Sequence, residues 1–294
     1  MASLPDEMLI TDVNIPGTHD SATCFVAFSF ISRPQHMTVD EQLENGVRYF
    51  DFRFRYSSGI FKASHSIATC KKSAGIFAEN LTAGDIVNSC IAFLERNPSE
   101  TILFQLKETV THSDEGFFAE FYDRYIKGNK DRWYLKNAIP SMGEARGKIV
   151  LLRVVSADRN IFDDTDSGID FTRYPYVEER WVDSWYRSDI CTLGADEPYA
   201  SMFVQDSYKA ECKRKWGTVT RFLENEDECD FKICLTSCTF FFVPSINVRY
   251  INKQLKKYNF SAGRRYGIIA SDYIDSEICS SIIESNFSCG KNEE

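Results

Sequence analysis

The chain lacks any run approaching the roughly 18 to 20 consecutive apolar residues that a membrane-spanning helix requires, although 43% of its residues are hydrophobic. It also lacks a lysine- and arginine-rich stripe. Acidic residues outnumber basic ones by 43 to 34, giving a net charge of −9, which argues against a nucleic-acid partner and leaves any membrane contact to local, largely apolar surface. The ten cysteines contain no Cys-x-x-Cys pair and no Cys/His spacing of zinc-finger type. A zinc site is therefore not expected, and with no signal peptide in view the thiols are expected to be reduced, several of them buried as small hydrophobes. No Pro/Gly/Ser linker, low-complexity tract or repeat divides the sequence, so residues 1–294 read as one domain. The opening Met1–Ile10 has no basic segment followed by a long apolar core. The compartment stays open, with a cytoplasmic or peripheral-membrane location as the default expectation and secretion requiring another route or a leader outside this sequence.

What the chain does have is a rhythm of strand, then helix. Apolar β-rich runs recur at Met8–Asn14, Val47–Phe52, Thr101–Leu106, Lys148–Val155, Met202–Val204, Phe231–Leu235 and Tyr266–Ala270, several nearly continuous, as doubly buried parallel strands are. Helical patterns fall between them at Val39–Asn45, Ala83–Arg96, Glu115–Ile126, Lys209–Glu224, Val248–Tyr258 and Ser276–Ser285. This alternation predicts an α/β fold and favours a (β/α) barrel over an open sheet. Tyr56-Ser57-Ser58-Gly59 is too short for a parallel crossover, so Ile60–Ser64 is expected to return antiparallel and carry His65 over the barrel rim. An eighth barrel strand would have to come from Asp158–Glu197, where the pattern is ambiguous, so the barrel is expected to be distorted and open to being incomplete.

The polar residues converge on one end of that barrel. His19, Arg53, Lys107, Arg153, Asp206 and Asp272 each fall at or near the C-terminal end of a different predicted strand, where barrel enzymes place their chemistry. Ile15-Pro16-Gly17-Thr18-His19-Asp20-Ser21 delivers a His-Asp pair on a sharp turn, and Asp51, Arg53 and His65 follow within fifty residues. Two histidines can serve as base and acid, and an arginine between them suits a phosphate. Taken singly, each has a plain reading: Arg53 as a rim ion pair with Asp51 or Glu44, and His65 as an exposed turn residue. His36 and His112 have no such surroundings and read as surface residues, and Asp275 reads as the N-cap of the last helix.

These motifs resemble the bacterial-type phosphatidylinositol-specific phospholipase C (the X-domain family). The likeness rests on Ile15–Ser21, Phe50-Asp51-Phe52-Arg53, Asn97–Thr101 with Leu106-Lys107-Glu108, Ala145–Leu152, Val204–Lys209 and Ser271–Ile274, in that order. It implies a distorted, incomplete TIM barrel. His19 would be the general base toward the inositol 2-hydroxyl, supported by Asp272, and His65 the general acid toward the diacylglycerol oxygen, partnered by Asp20. Arg53 would hold the phosphate, oriented by Asp51, while Lys107, Arg153, Asp206 and Tyr208 would grip the inositol. One departure stands out: the family's basic residue on the fifth strand falls one position beyond Arg153, where this chain has Val154. The resemblance implies diacylglycerol and inositol 1,2-cyclic phosphate as products, no metal, no cofactor and a monomer in transient contact with membrane. It leaves open whether the headgroup is plain or glycosylated. The aromatic runs containing Phe25, Phe28, Phe240, Phe241 and Phe242 would form an apolar rim for the lipid interface, although such clusters are more commonly core. Two alternatives remain: a metal-dependent glycerophosphodiester phosphodiesterase-like barrel, which needs a carboxylate where Arg53 stands, and a phosphoinositide-binding pseudo-enzyme, which would be expected to have lost a histidine or the arginine.

Overall fold

The computed structural model describes residues 1–26, 33–75, 77–109, 115–175, 185–238 and 244–287. Its strands are β1 (Ile15–Thr18), β2 (Tyr49–Ser57), β3 (Ile60–His65), β4 (Ala68–Thr69), β5 (Ile102–Glu108), β6 (Trp133–Tyr134), β7 (Ile149–Arg153), β8 (Ile169–Asp170), β9 (Tyr186–Cys191), β10 (Pro198–Gln205), β11 (Phe231–Leu235) and β12 (Ile268–Ser271). They form one 12-stranded sheet in the order β6-β7-β5-β2-β1-β12-β11-β10-β9. From β7 through β10 all neighbours are parallel. The two-residue strands β6 and β8 share the remaining edge of β7, one on its first half and the other on its second. Together they stand for a single parallel strand.

The barrel therefore has a seam. Strand β9 runs antiparallel to β10, and among the described residues no ladder joins β9 to β8. A side chain bridges the two edges instead. Asn137 Oδ1 accepts from the Asp170 amide at 2.9 Å while its Nδ2 donates to the Cys191 carbonyl at 2.9 Å. The expectation of a distorted, incomplete TIM-type barrel is met, and the ambiguous segment supplies half of the composite strand together with β9.

Strand alternation sorts side chains into two cores. Ile15, Tyr49, Leu103, Val150, Leu152, Met202, Val204, Ile233 and Ile268 pack together inside the barrel. Phe50, Phe52, Phe54, Phe104, Leu151 and Phe203 point the other way, toward the helices, as a period of two requires. At Gly17 an added Cβ would lie 2.7 Å from Tyr49 Cδ1, so only glycine lets β1 approach β2 there.

Helix starts are chemically marked. Thr82 and Asp85 form a capping box on helix Ala83–Arg96, Thr38 and Glu41 another on Val39–Glu44, and Asp275 caps Ser276–Glu284 as expected. The predicted first strand was misplaced. Residues Ile10–Asp12 form a 3₁₀ turn, and Asn14 Oδ1 instead accepts the amides of Tyr266 and Gly267, which starts the ladder at Ile15. No helix among the described residues is long and apolar enough to cross a membrane.

Candidate active site

Alternation also decides which strand-end residues reach the barrel mouth. On β2, Phe50, Phe52 and Phe54 face the helices, so Asp51 and Arg53 face inward. His19 follows β1, and Gln35 holds it in place by donating to the His19 carbonyl at 2.8 Å and to the Ser271 carbonyl at 2.9 Å. Asp20 adopts a positive φ of 46°, a conformation that Asp tolerates better than most residues. That turn is braced by Ser21, whose hydroxyl accepts the Asp51 amide at 2.8 Å.

The result is a compact chain of charges. His19 Nδ1 lies 2.9 Å from Asp272 Oδ1, and its Nε2 lies 3.3 Å from Asp20 Oδ2. The same Asp20 oxygen lies 3.2 Å from His65 Nε2, and Asp20 Oδ1 lies 2.8 Å from Arg53 Nε. Arg53 Nη2 reaches Asp51 Oδ2 at 2.6 Å, and Lys107 Nζ approaches Asp51 Oδ1 at 3.3 Å. Five of the expected residues thus share one network: His19, Asp20, Arg53, His65 and Asp272. Asp51 joins it as the anchor of Arg53 and Lys107. The rim ion pair anticipated as the plain reading of Arg53 exists in part, since Asp51 is its partner, whereas Glu44 pairs with Arg96.

Burial and charge oppose each other here. Burial alone would lower the His19 pKa, but the carboxylates of Asp20 and Asp272 outweigh it and push the value up to about 9. Burial would raise Asp20, yet Arg53, His19 and His65 hold its carboxyl well below the usual range. Asp51 is held low against the same burial penalty by Arg53 and Lys107. Lys107 moves downward because burial exceeds the help from Asp51.

Asp206 follows β10, and its Oδ1 is buried without a hydrogen-bond donor. Tyr208 is half-buried nearby in sequence. Arg153 is not brought to the mouth. Because Leu152 points into the barrel, Arg153 points out, fully buried, with its guanidinium bonded to Asp170 Oδ2 at 2.6 Å and to the carbonyls of Ser167 and Val155. Its expected grip on a ligand is corrected to an internal tie, and Val154 packs against the inner core instead.

Phe25 is half-buried beside a cavity of about 200 Å³. Phe28, Phe240, Phe241, Phe242 and His112 lie outside the described residues. His36 is exposed and stacks on Tyr273 at 5.6 Å. Tyr174 was missed by sequence reasoning: Lys107 Nζ sits 4.2 Å above its ring centre, and nothing in its local pattern marks it. Ile67 and Phe77 were missed as well, at 83% and 94% exposed, two and twelve residues after His65 in sequence. Two strongly apolar residues after a site histidine were a readable signal.

His19, Asp20 and Asp51 place potential metal-ligand atoms within 4.8 Å of one another. The set does not suit a cation, because Arg53 already stands between the two carboxylates at 2.8 and 2.6 Å.

Fold and cluster define a TIM-type barrel protein that gathers paired imidazoles, a guanidinium and buried carboxylates at the C-terminal mouth of its strands. No protein-family model matches the chain. It is 25% identical to the 1-phosphatidylinositol phosphodiesterase of Listeria monocytogenes, over 97% of this chain and 84% of the relative. It is 26% identical to the enzyme of that name from Staphylococcus aureus, over 76% and 68% respectively. Among solved structures, phosphatidylinositol-specific phospholipase C from S. aureus superposes with a TM-score of 0.75 at 22% identity, covering 97% of this chain and 96% of the other. The L. monocytogenes enzyme superposes with a TM-score of 0.73 at 22% identity, covering 98% and 97%. One S. aureus structure concerns modulation of that enzyme's membrane binding. The chain is thus similar over most of its length to enzymes named 1-phosphatidylinositol phosphodiesterase, and it shares the barrel fold of the solved bacterial phosphatidylinositol-specific phospholipases C.

Proposed function

We propose that this chain cleaves phosphatidylinositol to diacylglycerol and inositol 1,2-cyclic phosphate at a membrane surface, with two histidines as base and acid and no metal. The activity follows from relatives named 1-phosphatidylinositol phosphodiesterase that align with most of the chain. The observation that carries the mechanism is the Asp20 carboxylate, which touches both imidazoles and the guanidinium at once.

Asp272, on Nδ1 of His19, fixes the tautomer that leaves Nε2 to take a proton from the ring 2-hydroxyl. That hydroxyl is an intramolecular nucleophile, so attack on the adjacent phosphodiester gains from high effective molarity and needs only a base, an acid and charge stabilisation. Arg53 supplies the stabilisation: a preorganised donor aimed at developing charge contributes roughly 3 to 4 kcal/mol. His65 Nε2 protonates the departing glycerol oxygen. The Asp20 and Asp272 carboxylates raise the His19 pKa to about 9, so His19 must give up a proton before it can act as the base. Lys107, Tyr174 and the buried Asp206 Oδ1 line the side on which ring hydroxyls would be held, and Tyr208 follows on the same loop as Asp206. Arg53 takes the place of a cation between the carboxylates.

Membrane contact rests on the exposed apolar Ile67, two residues after His65, and on the exposed Phe77, with the sequence runs at Phe25–Phe28 and Phe240–Phe242 as further candidates for the rim. A monomer suffices, since every member of the charge network comes from one chain. Phosphorus NMR of an early time point on phosphatidylinositol vesicles tests the proposal. A cyclic phosphate is expected first, and acyclic inositol phosphate without that precursor would overturn the mechanism.

A further inference from the structure

Two thiols outside the charge network lie close together. Cys212 opens helix Cys212–Glu224, where the Glu211 carboxylate caps the helix by accepting the amides of Lys213 and Arg214. Cys238 lies three residues beyond β11. Their sulfur atoms are 3.9 Å apart. Cys212 is partly accessible, whereas the other eight described cysteines, Cys238 among them, are buried. Each thiol also has a neighbouring acceptor: Asn247 Oδ1 at 3.0 Å for Cys212 and the Ala210 carbonyl at 3.3 Å for Cys238.

We propose that Cys212 and Cys238 form a reversible dithiol–disulfide site that, when oxidised, staples the loop bearing Asp206 and Tyr208 to the neighbouring loop after β11. A disulfide needs its sulfurs about 2.05 Å apart, so closing the gap from 3.9 Å requires an approach of roughly 2 Å, within reach of side-chain rotation at the first helical residue and in the loop after β11. The oxidant is a small-molecule disulfide of the glutathione class. The Cys212 thiolate attacks one sulfur of that disulfide, forming a mixed disulfide and releasing one small thiol. The Cys238 thiolate then attacks the Cys212 sulfur and releases the second small thiol. Two protein thiols are oxidised and one small disulfide is reduced to two thiols. Cys212 is the attacking residue because it is the more accessible of the two. Burial raises its pKa against the hydrogen bond from Cys238, so exchange quickens with pH.

The bond would withdraw the Cys238 thiol from Ala210, which lies in the same loop as Asp206 and Tyr208. It would also withdraw Cys212 from Asn247 on helix Pro244–Leu255. On that helix Asn252 donates to the carbonyls of Asp272 and Tyr273 at 3.1 and 2.9 Å. Oxidation thus reaches the ligand-binding side through the loop, and Asp272 through the helix.

The test uses the full chain incubated with oxidised glutathione at mildly alkaline pH, then blocked with an alkylating agent and mapped by mass spectrometry. One cross-linked peptide pair, Cys212 to Cys238, lighter by two hydrogens and restored by dithiothreitol, is the expected result. Cys238→Ser should stop at a glutathione adduct on Cys212, and Cys212→Ser should give no cross-link. A wild-type chain that stays unmodified, keeps a stable adduct on Cys212 or joins another cysteine pair would overturn the site. The kinetic arm rests on the proposed phospholipase activity: oxidation should raise KM for a soluble short-chain substrate several-fold, reversibly, with no such change in the Cys212→Ser chain. A cross-link that forms without moving KM would overturn the staple. The mapping stands whether or not the chain proves to cleave phosphatidylinositol.

Discussion

Replacing Asp272 with Asn should change the protonation of one histidine in a way that can be read directly. His19 is raised from 6.5 to about 9 by two carboxylates acting against burial, a difference equivalent to about 3 kcal/mol. Asp272 sits 2.9 Å from Nδ1. At the effective dielectric of a partly buried pair, unit charges about 4 Å apart interact by roughly 4 kcal/mol, so removing this one, with Asp20 left in place, should bring His19 down to roughly 6. Proton NMR of the imidazole Cε1–H signals checks this, and with only four histidines in the chain single substitutions at His36, His65 and His112 assign the spectrum. The linked stability has a definite sign. A folded pKa above the unfolded one stabilises the protein fully below pH 6.5, and that contribution is lost as pH rises through about 9. Urea unfolding of the wild-type chain should therefore weaken by up to about 3 kcal/mol between those limits from this group, and that of Asp272→Asn by much less. The ascending limb of kcat/KM against pH should move to lower pH in the variant, while turnover falls at least ~10-fold because the base is no longer oriented. A variant in which His19 still titrates near 9, or a wild-type His19 near 6.5, would refute the reasoning.

His19→Ala and His65→Ala should each lower turnover by at least ~100-fold while folding survives, as circular dichroism would confirm, since a positioned base or acid typically contributes roughly 10² to 10⁴. Activity should persist in EDTA, because Arg53 already bridges the carboxylates; complete loss restored by calcium would contradict that. Changing Ile67 and Phe77 together to Ser should weaken vesicle binding by roughly tenfold or more, at about 1 to 2 kcal/mol per inserted side chain, and leave hydrolysis of a soluble short-chain substrate largely intact. Gly17→Ala should destabilise the fold by roughly 1 to 3 kcal/mol in urea unfolding, because Tyr49 fills the space the methyl would need.

What could be read from the sequence was whatever a local pattern encodes. Helix Ala83–Arg96 and strand β11 fall where they were expected, since a Thr-x-x-Asp box and an unbroken apolar run mark them. His19 and Asp272 were legible because turns fix them just past strand ends. Arg153 was misread because ending a strand fixes height along the barrel, not the face: Leu152 takes the inward position, and the one-residue offset at Val154 already marked the difference. Tyr174 was illegible because its place depends on β8, a two-residue strand with no periodicity, and on a lysine far away in sequence. The seam was expected from the ambiguous Asp158–Glu197 segment, but its closure was hidden, since Asn137 bridges it with a side-chain amide that leaves no strand signal.

The pairing of β1 with β12 bears on the order in which the molecule comes together. His19 and Asp272 are 253 residues apart, whereas Arg53 and His65 lie on a hairpin whose turn is closed by Ser57 and Ile60. Loop-closure entropy grows with the logarithm of separation, so bringing the distant pair together costs about 4 kcal/mol more than closing the hairpin. Contacts of such long range form slowly. His65 and Arg53 are thus neighbours from the earliest structured states, and His19 meets Asp272 only after the last strand docks. In a refolding experiment, recovery of turnover should lag behind recovery of β-sheet signal by the time that docking takes.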